Sequence, residues 1–131
     1  MRLAIFIVFF LLLSPTLFAE EAEQEEAPNT LYLPLQPQFT VNLLGNKHYL
    51  RVSIQLELAD EKTKESIQAN NPAIRHALIV LLSNNNVEDI SDFTGKEKLR
   101  KKAVVELNNI LKKYTQTDGI IDVFFTDFVS Q

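Results

Sequence analysis

The chain reads as an α+β domain: a β-hairpin, two to three helices and a C-terminal strand. Three observations predict it. Residues 49–58, Tyr-Leu-Arg-Val-Ser-Ile-Gln-Leu-Glu-Leu, alternate without a break, so five apolar side chains share one face of a strand and the polar ones share the other. Between residues 60 and 114 the apolar spacing changes to three and four, the period of a helix. Residues 120–129 then return to β-branched and aromatic types. Strands, then helices, then a strand indicate one α+β domain, and the 112 residues that follow position 19 suffice for one modest core.

Taken in order, residues 1–19 look like a secretory signal peptide. Arg2 supplies a minimal positive end and Leu3 to Leu13 is an unbroken apolar run. Ser14-Pro15-Thr16 interrupts it, and Ala19-Glu20 offers a cleavage point. An uncleaved anchor is the alternative, since Leu3 to Ala19 is uncharged and sits at the short end of the ~17–25 residues that span a bilayer. Residues 20–38 read as a disordered spacer. Five acids and no base fall within residues 20–27, and Pro28, Pro34 and Pro37 keep the remainder extended. The folded part is expected over residues 39–131. From Pro28 onward twelve basic residues balance twelve acidic ones, so nothing in the charge calls for nucleic acid as a partner.

Phe39, Val41 and Leu43 form the first alternating run. Gly45-Asn46 suits positive φ before the chain returns into residues 49–58, although the loop can extend through Lys47-His48. A short charged helix over residues 60–69 has Ile67 as its one large apolar residue. Asn70-Asn71 stops it and caps the next helix, with Pro72 in the first turn. In residues 73–83, Ile74, Ala77, Leu78, Leu81 and Leu82 share a side, and Ile79 and Val80 make the helix apolar almost all round. It should therefore be the most buried; a buried strand is disfavoured by its length and caps. After a link over residues 87–93, Thr94-Gly95-Lys96-Glu97 matches a capping box. The following helix places Leu99, Ala103, Leu107, Ile110, Leu111 and Tyr114 on one stripe. The last strand carries bulk on both faces, which suggests cover on two sides or an outer face that meets a partner.

No catalytic constellation stands out. Without cysteine there is no thiol nucleophile, disulfide or lipidated N-terminal cysteine. His48 and His76 have no second histidine at ligand spacing and read as a surface and a packed residue; no metal or cofactor is expected. Glu88, Asp89 and Asp92 lack the glycine and alternating ligands of a calcium loop, and three glycines rule out a glycine-rich phosphate loop. The cluster Lys96, Lys98, Arg100, Lys101 and Lys102 has two readings. One is a solvated first turn; the other is a patch for anionic lipid headgroups or an acidic partner. Phe124 and Phe128 divide similarly between core and interface.

The residues so placed also have a familiar order. Phe39-Thr-Val-Asn42-Leu43 precedes residues 49–57, followed by Pro72-Ala-Ile74-Arg75 leading to Leu82-Ser83. Gly95-Lys96, Leu99-Arg100, Leu107-Asn108 and the ending Val123-Phe-Phe-Thr126-Asp-Phe128-Val129-Ser-Gln131 complete the set. Over about residues 39–131 the chain resembles the flagellar basal-body-associated FliL family. The resemblance implies a periplasmic domain similar to the stomatin/prohibitin-type (SPFH-like) fold, near the inner membrane and the flagellar basal body. It implies a non-enzymatic homo-oligomer that works with the flagellar stator or other basal-body proteins to support motility. The family's usual member has an inner-membrane helix, where this chain has an apparently cleavable leader. A periplasmic scaffold with the same fold and no flagellar role is the alternative reading.

Overall fold

A computed structural model describes residues 30–131. The expected leader, its Ala19-Glu20 cleavage point and residues 20–29 of the expected spacer lie outside them. The sheet is antiparallel throughout, in the order β1 (Leu31–Asn42), β2 (Tyr49–Leu58) and β3 (Ile120–Ser130). Its central strand is the alternating stretch. Leu50, Val52, Ile54, Leu56 and Leu58 are at most 2 % exposed, and Arg51 to Glu57 take the other face. Both neighbours bring apolar residues to the inward face: Leu35 and Phe39 lie opposite Ile54 and Val52, and Val123 opposite Leu56.

β1 starts eight residues before the expected Phe39, so residues 31–38 belong to the sheet and not to a spacer. Leu31, Leu33 and Leu35 continue the inward alternation, pairing with Leu58, Leu56 and Ile54. Pro34 and Pro37 forbid only ladder donation, which an edge strand tolerates. The register shifts between Leu35 and Phe39, around the cis Gln36–Pro37 peptide. Arg75 braces this shift: its guanidinium donates to the Pro37 carbonyl at 2.9 Å and lies 4.0 Å from the centre of the Phe39 ring. The hairpin closes through Gly45 and Asn46, both at positive φ, with the Leu43 N–H donating to the His48 carbonyl.

Three helices cover the inward face. α1 (Glu61–Ala69) begins at Asp60, whose carboxylate accepts from the Thr63 N–H at 2.8 Å and hydroxyl at 2.7 Å. α2 (Asn71–Ser83) starts from Asn70 with Pro72 in its first turn, as expected, and buries Ile74, Leu78 and Leu82. Ile79 and Val80, expected to be buried, are exposed. With sheet on one side only, α2 has nothing to cover its far face. A 3-10 turn over Val87–Ile90 buries Ile90 and leads into α3 (Phe93–Thr115).

The cap of α3 is Asp92, not Thr94: its carboxylate accepts from the Gly95 N–H at 2.7 Å. Glu97 is thereby released from capping and pairs with Arg100. Gly95 suits the close approach of this first turn to the 3-10 turn, since a Cβ there would sit 1.8 Å from the Asp89 carbonyl oxygen. Leu99, Ala103, Leu107 and Leu111 are buried and Ile110 packs beside them. Tyr114 continues the stripe but is exposed, because it lies near the end of a helix whose last buried residue is Leu111.

Two contacts dock α3 on β3. The Asn108 amide donates to the Ile120 carbonyl at 2.9 Å and accepts from the Ile120 N–H at 3.0 Å. Arg100 holds Glu97 through two N–H groups, at 2.7 and 3.0 Å, and reaches Asp122 with a third. These hydrogen bonds raise the Arg100 pKa and hold the Glu97 carboxyl below its ordinary value.

Leu56→Ala should cost about 2–5 kcal/mol in urea unfolding, whereas outward Gln55→Ala should stay within about 0.5 kcal/mol. The Thr63 hydroxyl and N–H lower the Asp60 pKa below its ordinary 3.8. The stabilisation from Asp60 is therefore complete above pH 3.8 and lost as pH falls through the lowered folded value. Asp60→Asn keeps an acceptor at the cap, so neutral stability should hold while the acid-side loss becomes shallower. Urea midpoints measured against pH check this.

Candidate functional site

The seven residues expected to meet a partner separate into two groups. Lys96, Arg100, Phe124 and Phe128 converge on a groove of about 490 Å³ between the first turns of α3 and β3, which Phe93, Glu97, Asp122 and Phe125 also line. Lys98, Lys101 and Lys102 are exposed and absent from that lining. Arg100 is the most constrained of the cluster. Its ion pairs dock a helix on a strand, so it serves as the groove's floor rather than as a free charge. Lys98, Lys101 and Lys102 form no ion pair among the described residues.

Breaks in the β3 register position the aromatic residues. The first, beside Leu58, lets Ile120 and Val123 both face the core. The second falls between the partners of Arg51 and Ser53, where Asp127 has a φ of 49°. Strict alternation would put Phe124 and Phe128 on the same face. Phe124 is 36 % exposed and meets Tyr32 edge-on, with ring centres 6.1 Å apart. Phe128 packs against the core's margin, 5.9 Å from Phe125, and the Lys96 ammonium stands 5.0 Å from its ring centre.

Sequence reasoning missed Phe93, Glu97, Asp122 and Phe125 of this lining; the most exposed of them is Phe93, 78 % exposed at the first position of α3. A helix starting from a Thr94 cap leaves Phe93 in the preceding link, whereas the Asp92 cap brings it into the first turn. Its signal was its spacing: Phe93 precedes Lys96, Glu97 and Arg100 by three, four and seven residues, which places all four on one helix side.

The groove offers ring area, an ammonium at its rim and a neutralised ion-pair floor. Among the described residues every buried side-chain polar atom has a hydrogen-bond partner, and no three His, Asp or Glu side chains converge as metal ligands. Glu88, Asp89 and Asp92 surround a larger open depression of about 880 Å³. Two of them already have partners, Asp92 as the α3 cap and Asp89 accepting from the Asn86 amide at 3.1 Å. His48 and His76 are both exposed, so His76 is not the packed helical residue expected. What the groove presents chemically is therefore ring area and one ammonium.

Comparison with known proteins agrees with the ordered residues. The family model described as flagellar basal body-associated protein FliL matches residues 32–131. The chain is 34 % identical over 99 residues to a flagellar protein FliL of Aquifex aeolicus, covering 74 % of this chain and 59 % of that one. It is 30 % identical over 91 residues to the Bacillus subtilis flagellar protein FliL, covering 70 % and 61 % respectively. Against the Escherichia coli flagellar protein FliL it is 27 % identical over 110 residues, covering 84 % and 71 %. The chain thus spans about three fifths of the length of the first two relatives. No helix among the described residues is long and apolar enough to cross a membrane. The match runs from the second residue of β1 to the last residue, through the whole sheet and all three helices, and the chain belongs to the FliL family of flagellar basal body-associated proteins.

Proposed function

We propose that this chain is a non-enzymatic component of the flagellar base. It self-associates and touches the stator from the periplasmic side of the inner membrane, supporting motility. Its membership of a family described as basal body-associated supports the setting. The groove of Phe93, Phe124 and Phe128 beside β3 supports the mode of action. A Phe that is 78 % exposed at a helix start stabilises little in the isolated chain, and it gains once a partner removes it from water.

β3 is also the edge better suited to contact. β1, the opposite edge, carries Pro34 and Pro37, which lack N–H donors and discourage a further strand. β3 contains no proline and stands next to the aromatic groove, so an extended partner segment can pair with its backbone while placing side chains among the rings.

Phe93→Glu and Phe124→Glu, expressed from the native locus, should reduce swimming through soft agar and lower the purified chain's sedimentation coefficient towards that of a monomer. Phe93 is 78 % exposed, so Phe93→Glu should leave the thermal midpoint nearly unchanged, whereas Phe124→Glu also loses the Tyr32 contact and should lower it modestly. Wild-type swimming together with an unchanged oligomer distribution would overturn the proposal.

A further inference from the structure

We infer that the outer face of α3 is a docking surface for the anionic headgroups of a phospholipid bilayer. The orientation of this face in the cell rests on the periplasmic, membrane-proximal reading above; its lipid affinity does not. Lys98, Lys101, Lys102 and Lys112 lie three, four and seven residues from Val105, so they surround it on the side of the helix opposite the buried stripe. All four are exposed, as is Val105 at 60 %. From Lys98 to Lys112 the row extends about 21 Å, four turns of positive charge with one apolar side chain at its centre.

Lys98, Lys101 and Lys102 form no ion pair among the described residues, although Glu88, Asp89 and Asp92 share an open depression with them at the start of α3. Glu97 is engaged by Arg100 on the β3 side, and Glu106 stands at the border between the lysine row beside Val105 and the groove towards α2. Beyond the helix, Asp118 meets Lys112 at 3.4 Å, in a pair that stays more than half exposed. From Pro28 onward the charge balances only when these four lysines are counted, so the row is a local concentration of positive charge in a domain whose remainder is net acidic. It does not serve the helix: Lys98, Lys101 and Lys102 lie in its N-terminal half, and the earliest of them oppose the macrodipole.

The choice of cation favours a lipid surface over a protein carboxylate. The single arginine of this helix, whose planar fork suits paired carboxylates, is turned inward to Glu97 and Asp122. The outer row is all lysine: flexible point charges that can follow headgroups free to move laterally. An exposed helix face with a valine among its lysines can lie against a planar interface, with each ammonium adding a salt-dependent increment of attraction.

Co-sedimentation of residues 20–131, which contain the entire described fold, with phosphatidylethanolamine vesicles tests this. Including phosphatidylglycerol in the vesicles should produce binding that weakens as salt is raised. The triple variant Lys98→Glu, Lys101→Glu, Lys102→Glu should lose about tenfold or more in partitioning while keeping its circular dichroism and thermal midpoint. The triple arginine variant should bind as the wild type does. Free inorganic phosphate at equal concentration should not displace the protein; displacement would identify a phosphate pocket and overturn the inference. Equal binding to vesicles lacking phosphatidylglycerol, unchanged binding by the glutamate variant, or capture only by a soluble poly-glutamate peptide would also overturn it. Phe93→Glu should bind vesicles normally, so failure here is distinguishable from failure of the groove.

Discussion

Everything in this fold follows from the need to cover one face of one strand. Five side chains of β2 point the same way and leave water almost completely. A strand cannot do this alone, so the chain places a partner strand on each side and helices above. α2 leans on β1, α3 on β3 and α1 on β2. The helices have only this one layer to cover. Their far sides consequently remain open, which is why α2 presents Ile79 and Val80 to solvent and α3 presents lysine.

The same constraint explains how the basic cluster divides. Consecutive helix positions point in different directions, so five cations close in sequence cannot act as one patch. Arg100 turns towards β3 and binds two carboxylates; Lys96 turns towards the aromatic groove; the remaining three stand outward. One short segment thus supplies an internal brace, the rim of a groove and part of an open charged face. The brace matters to the groove, since Glu97, Arg100 and Asp122 hold the start of α3 at a set distance from Phe124 and Phe128.

Regular period made much of this legible in advance. The β2 alternation, the positive-φ turn at Gly45-Asn46, the Asn70–Pro72 junction and the Leu99–Leu111 stripe all stand where their spacing put them. Residues that break period did not reveal themselves. The prolines of residues 31–38 hid an edge strand, because composition argued for a linker while Leu31, Leu33 and Leu35 argued for a sheet. Two register breaks in β3 changed which face each phenylalanine takes, and a bulge cannot be read from residue types alone. The groove was hardest to see. Phe93 became part of it only because Asp92, rather than Thr94, caps α3.

Family membership places the chain among flagellar basal body-associated proteins, and on the proposed function its groove is where it touches others. Site-specific photocrosslinking in living, swimming cells tests this most directly, with the photoreactive residue at position 93 and a control at Thr40 on β1. The account predicts adducts at position 93 to a second copy or to a basal-body protein, and few or none at position 40. Equal labelling at both positions, or no adduct at position 93 in motile cells, would contradict it.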